Sequence, residues 1–368
     1  MQRLDLDDAR AATVGGLVLG AGGGGLEDGL AAAEAVLALG TPRLASLDEL
    51  EEPDGVVIST SVGAPSARSL APADIASGHR QRQRALELLR ASLPPSAPAL
   101  RATMCSHPGA WIAETWVHAA LDERLCVADA AANGRGHPTV KMGGLGLAGR
   151  NDVAVHQAAA GGSPPLEVVS HGTLAQTSNV LRAASIAAGG IIAACRGPFS
   201  VVFCREAAAV GAVTTSITLG RNVLDARPAG AGAVVDAVVE TLHGQLIAEG
   251  VVTTHESTFV EGFDVGRLVL DAAEGHVEIG ICNEFLYAEV AGHRVASFPD
   301  LIVLLDATDG LPVPAARLEE GARLLAVAVA RDRIPLGAGV RDPTVYGEIE
   351  RLTGADLARY ALDGPAPP

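Results

Sequence analysis

Through residue 150 the chain alternates short apolar runs with longer helix-patterned segments, and that alternation constrains the fold more than any single motif. Gly55 to Pro65, GVVISTSVGAP, reads as a strand ending in a small-residue loop, where a ligand can sit against the backbone of Gly63 and Ala64. A helix follows from Asp74, placed as its N-cap, to Ser92, with a basic solvated face of Arg80, Arg82, Arg84 and Arg90. Pro94, Pro95 and Pro98 then break the pattern. The expectation is an α/β N-terminal domain over residues 1–160, built on a layered, mostly parallel sheet. Composition changes after Asn151. His156 to Pro165 reads as a connection, and Thr173 to Cys195, Arg205 to Leu224 and Gly230 to Glu249 read as helices. Strands are predicted at Val265 to Asp271, His276 to Val290, His293 to Ala296, Leu301 to Asp306 and Ala322 to Ala330, with turns at Glu274-Gly275 and Ala291-Gly292. A last helix spans Glu348 to Ala361, ahead of a frayed tail from Gly364 to Pro368. Residues 161–368 are thus expected to form an α+β C-terminal domain rich in antiparallel strands.

Aromatic residues make up only 3% of a chain that is 48% hydrophobic, so the core must be built from Ala, Val, Leu and Ile. The net charge of −16 disfavours nucleic acid and anionic membrane surfaces as partners. The start, MQRLDLDDAR, carries no apolar signal core, and apolar stretches such as Ala183 to Cys195 are too short and glycine-broken to cross a bilayer. Five cysteines without a CxxC pair suit reduced thiols. A cytoplasmic homo-oligomer acting on a small-molecule substrate is the expectation.

Chemistry-bearing residues concentrate in three stretches. In the first, a strand from Leu17 to Leu19 is predicted to run into the Gly20–Gly25 loop, followed by a helix from Leu26 to Leu39 that Gly40 closes. Gly20, Gly22 and Gly25 fit the spacing G-x-G-x-x-G, which lets a backbone approach a phosphate; a closely packed turn fits the same glycines. The second stretch, RATMCSHPGAWIAETWVHAA, places Cys105 two residues before His107, with Pro108 in the first turn of a predicted helix. Thiolate and imidazole are ligands for zinc or a similar divalent cation, with His137, His171 or Asp129 as the candidate third ligand; a buried Cys beside a capping His is the alternative. The third runs from Cys126 to Gly146, where a strand delivers Asp129 and a turn-rich loop offers Asn133, Arg135 and His137.

At the C-terminal strands the sequence resembles a known family. GFDVGRLVLDAAEG (Gly262 to Gly275), ICNEFLYAEV (Ile281 to Val290) and FPDLIVLLDATDGLPV (Phe298 to Val313) are similar, in order and spacing, to the DUF917 family, whose characterised branch is S-methyl thiohydantoin desulfurase. The resemblance extends over nearly the whole chain. The family's central pattern, D-x-D-G-x-G-R-x-x-P-E, is matched at Asp129 and Arg135, but Ala131 replaces the second acid and Thr139 follows Pro138. Where many members carry a Glu-Ile-Gly-Gly type turn, this chain has Cys105-Ser106-His107-Pro108-Gly109.

The resemblance implies hydrolysis at the carbon of a five-membered hydantoin-like ring, expelling a thiol or opening an amide-type bond. Such a reaction needs an activated water, a group for the tetrahedral anion and a proton for the leaving group. On this reading Asp129, or a metal held by Cys105, His107 and His171, activates the water, with His137 beside them. Arg135 holds a carboxylate or ring oxygen, and Glu284 exchanges the proton. Gly23, Gly24, Gly63, Asn133 and Asn283 bind substrate. Loss of turnover in Asp129→Asn is the corresponding expectation. A nucleotide-binding protein and a noncatalytic partner subunit of a hydantoinase-type enzyme are the alternatives.

Overall fold

The computed structural model describes residues 1–64 and 72–363, so Pro65 and the Gly364–Pro368 tail fall outside it. Two helices open the chain, α1 (Leu6–Leu19) and α2 (Leu26–Leu37). Asp5 starts α1 with a reciprocal capping box to Asp8. The predicted Leu17–Leu19 strand is therefore the last turn of a helix. The misreading has a physical cause: α1 is buried nearly all round and shows no amphipathic stripe. Its glycines serve helix packing against α7 (Ala212–Ala226). A Cβ on Gly15 would lie 1.9 Å from the Ser216 carbonyl oxygen, and one on Gly220 would lie 1.8 Å from that of Ala11.

The first sheet holds β1 (Gln2–Arg3), β2 (Arg43–Ala45), β3 (Asp54–Gly63), β4 (Ala99–Cys105), β5 (Cys126–Ala131), β6 (Ala154–Gly161), β7 (Leu166–Thr173), β8 (Ile191–Ser200) and β9 (Ala209–Val210). Their order is β1-β2-β5-β4-β3-β8-β6-β7, with β9 on β5. The β2-β5-β4-β3 portion is parallel, as the alternating pattern predicts, and β8, β6 and β7 extend it antiparallel. Helix α3 (Pro72–Ser92) starts two residues before Asp74 and packs on β6 and β8.

Five further expected elements differ. His156 to Pro165 contains β6 rather than a connection; its Ala-rich run lacks the β-branched signal of a strand. The helix from Thr173 ends at Ala187 (α5, Leu174–Ala187), because Gly189 and Gly190 take φ of 99° and 111° before β8 begins. The Arg205–Leu224 helix divides into α6 (Val201–Ala207) and α7, and α8 (Ala231–Leu242) stops at His243, ahead of the sixteen-residue β10 (Gln245–Val260). The expected Glu348–Ala361 helix divides into α9 (Gly347–Thr353), ended by Gly354 at φ 72°, and a π-helical turn at Arg359–Asp363.

The second sheet is antiparallel throughout: β14 (His293–Ser297), β13 (Glu284–Val290), β12 (Gly275–Cys282), β11 (Phe263–Ala272), β10, β16 (Arg323–Val329) and β15 (Leu301–Asp306), in that order. The expected His276–Val290 strand is two strands broken at Asn283, which sits at φ 58°. The expected fold class, an α/β N-terminal part and an α+β C-terminal part, describes the molecule. Among the described residues, no helix is long and apolar enough to cross a membrane.

Candidate functional site

A cleft enclosing about 860 Å³, its open mouth included, lies where the C-terminal ends of β3 and β4 meet the β12–β13 break and the glycine loop. Its walls include Gly23, Gly24, Ser61, Gly63, Ser106, His107, Trp111, His137, Arg182, Asn283 and Glu284. Sites in α/β sheets gather at such strand ends.

Glu284 is the first residue of β13, delivered by the left-handed Asn283. Asn283 Oδ1 accepts from the Asp264 backbone N–H at 2.9 Å, and Asn283 N–H donates to the Asp264 carbonyl, which fixes the turn. The Glu284 side chain is 4% exposed, and its Oε2 meets no hydrogen-bond donor in the protein. Burial pushes its pKa up to about 8, against the opposing pull of the Arg135 and Arg182 guanidiniums. The shift favours the protonated form. Gly136 of the central loop packs closely on it: a Cβ there would lie 2.9 Å from Glu284 Cγ, and Gly23 of the glycine loop is in ordinary contact range of Glu284 Oε1.

Across the cleft, the His137 and His107 rings stand edge to face, 4.8 Å apart. His137 Nδ1 lies 2.9 Å from the Thr139 carbonyl, which can only accept, so this nitrogen carries the proton. Burial holds the His137 pKa well below the usual histidine range, while the Thr139 and Ser106 carbonyls pull it the other way. In the neutral ring Nε2 is then an acceptor, and Ser106 Oγ donates to it at 3.2 Å. His107 Nδ1 is enclosed without a partner, and burial, then the charge of Arg135, lowers its pKa to about 4.

Arg135 does not reach the cleft. It is fully buried, donates from Nε to Gly136 O at 2.8 Å, from Nη2 to Phe285 O at 2.9 Å and from Nη1 to Asp300 O, and stacks over Phe298. Its position is that of a brace between the loop and β13. Asp129 also faces elsewhere: its carboxylate accepts from Thr214 N–H at 2.9 Å and Thr214 Oγ1 at 2.6 Å, at the start of α7. Asn133 joins loops, donating to Arg135 O and accepting from Gly337 N–H. Two guanidiniums line the cleft: Arg82 of α3, which is buried and paired with Glu114 at 2.6 Å rather than on a solvated face, and Arg182 of α5, which donates to Gly262 O at 2.9 Å and stacks on Phe263.

The expected metal set is not assembled. Pro108 lies in a loop, ahead of a short helical turn at Ile112–Trp116, so Cys105 ends a strand and does not precede a helix. Its thiol is buried and pushed up to about 12, chiefly by desolvation. His171 is an exposed residue of β7, stacked on His156 at 4.1 Å. Among the described residues, no group of three or more His, Cys, Asp or Glu side chains could hold a metal ion. Cys105, His107 and His171 therefore do not fit a shared cation, and no step is routed through one. The Gly20–Gly25 loop is entered from α1 rather than from a strand, and Gly22 packs on Phe285, whose N–H donates to Ala21 O.

Of the expected site residues, Gly23, Gly24, Gly63, His107, His137, Asn283 and Glu284 share the cleft, while Asp129, Arg135, Asn133, Cys105 and His171 lie outside it. Sequence reasoning passed over Ser106 and Arg182. Ser106 stood in plain view between Cys105 and His107, but only the fold brings His137 to it.

Residues 7–162 match the family model described as S-Me-THD-like, N-terminal domain, and residues 173–347 match the one described as S-Me-THD-like, C-terminal domain. No curated protein matches the chain. A crystal structure of a protein from Chromobacterium violaceum is similar, with a TM-score of 0.66 and 20% identity over 96% of this chain and 97% of that one. At that identity the likeness is one of fold.

Proposed function

This chain belongs to the S-Me-THD-like family, and from that premise we propose that it is a hydrolase of a small hydantoin-like heterocycle, acting at a ring carbon that bears a thioether or amide-type leaving group. The observation that carries the reading is the placement of Glu284: a buried carboxyl whose Oε2 meets no donor among the described residues, in a cleft with two buried imidazoles, where burial favours its protonated form.

The chemistry divides among residues of the cleft. An imidazole takes a proton from the attacking oxygen as the new C–O bond forms. Arg182 stands beside the charge that develops on the ring. As the C–S bond breaks, the leaving thiolate takes the proton of Glu284 and departs as a thiol. The second proton of the water moves to the ring nitrogen, so the ring keeps a carbonyl and an N–H, and the proton held by the imidazole returns to Glu284 through solvent. The balance is one water consumed and one thiol released.

The test is a series of S-alkyl thiohydantoins offered to the purified full-length protein, with released thiol read by a chromogenic disulfide. Turnover is expected, with a loss of about 100-fold or more in a folded Glu284→Gln variant. No thiol from any member of the series, together with no ring opening of the parent hydantoin, would contradict the reading.

A further inference from the structure

We propose that Ser106 is a nucleophile, with His137 as its general base, and that the reaction passes through a covalent enzyme intermediate. Ser106 Oγ already donates to His137 Nε2 at 3.2 Å, and the opposite nitrogen is held by the Thr139 carbonyl at 2.9 Å. That is a nucleophile, a base and a third group that orients the base, with a backbone carbonyl in the place a carboxylate often takes. Both side chains are buried and both line the cleft. The site is shaped for the pair: a Cβ on Gly143 would come within 2.5 Å of His137 Nε2 and 2.9 Å of Ser106 Oγ. Arg196 holds the Gly143 carbonyl at 2.9 Å, which keeps that loop against the dyad.

A second serine–histidine contact, Ser59 Oγ to His118 Nε2 at 3.0 Å, makes a useful contrast. His118 does not line the cleft, its Nε2 is shared with Cys195 Sγ at 3.8 Å, and Ser59 also faces the Arg82 guanidinium at 3.4 Å. Ser59 lines the cleft too, and Gln83 Oε1 orients His118 at 3.3 Å, so the pairs differ in that His118 stands back from the cleft while both members of the Ser106–His137 pair line it.

The covalent step at a hydantoin carbon rests on the hydrolase reading; the nucleophile itself does not. In the first half-reaction Ser106 Oγ bonds to the ring carbon, its proton passes to His137 Nε2, and the C–S bond breaks with the thiol leaving protonated. In the second, water adds to the same carbon, one of its protons passing to the ring nitrogen and the other through solvent to the Glu284 carboxylate; the Oγ–C bond breaks, and Ser106 regains its proton from His137. Glu284 serves as the acid for the leaving group, as above.

The test is labelling of the full-length protein with phenylmethylsulfonyl fluoride, followed by intact mass and peptide mapping. One adduct on Ser106 is expected, absent in Ser106→Ala and formed about 10-fold or more slowly in His137→Gln. No adduct, an adduct on Ser59 or another residue, or equal labelling in His137→Gln overturns the proposal. Labelling of Ser106 without any thiohydantoin turnover would leave the nucleophile standing and remove the hydrolase reading; turnover that survives Ser106→Ala would do the reverse.

Discussion

Arg135 donates to the carbonyl of Phe285 at 2.9 Å, and through that bond the guanidinium anchors the strand whose first residue is Glu284. It also binds the Asp300 and Gly136 carbonyls, so one side chain ties the central loop to the second sheet. Arg135→Ala would orphan three buried carbonyls and leave a cavity. A stability loss of at least about 3 kcal/mol is expected. Chemical denaturation checks it: an unchanged midpoint would mean that Arg135 is not the brace described here.

Asp129 caps α7 through Thr214, the third residue of that helix. Asp129→Ala should cost about 1 kcal/mol of stability and leave turnover intact. This reverses the expectation from sequence, which gave the residue a catalytic task. Lost turnover in a folded variant would restore that task.

Glu284 ties stability to pH. Its pKa rises from about 4.5 in the unfolded chain to about 8 in the native protein. Between those values the unfolded state has lost a proton that the native state keeps, so stability falls as pH rises across that window, by roughly 3–5 kcal/mol in all. The benefit is complete below the lower value. Glu284→Gln should flatten this slope, and urea melts at a series of pH values read it directly. A wild-type slope that persists unchanged in the variant would move its cause to another group.

His171→Ala tests the metal expectation. The ring is exposed on β7, away from the cleft. Elemental analysis and turnover should both be the same in the variant as in the parent. A loss of stoichiometric metal with the substitution would show that His171 is a ligand after all.

How much of this was legible depended on the range of the interaction that decided each feature. The strand feeding the Asp129–His137 loop could be read locally, because an apolar run ending in turn residues is a local signal. So could β15, whose bounds match those expected, Leu301–Asp306. The fate of α1 could not: its glycines answer to α7, some two hundred residues away. Arg135 and Asp129 were conspicuous for their chemistry, but direction along a strand or loop is set by tertiary partners. Asp129 turned to Thr214 and Arg135 to Phe285, and neither partner is a neighbour in sequence. The Ser106–His137 contact likewise crosses thirty-one positions.

The account stands or falls on a protonated Glu284 in the native cleft. Infrared spectroscopy of the protein, with Glu284→Gln as the subtraction, isolates its carboxyl stretch. A protonated carboxyl band present at pH 7 and titrating away near pH 8 is the predicted result. A group already ionised at pH 7, titrating near 4.5 like an ordinary glutamate, would contradict it.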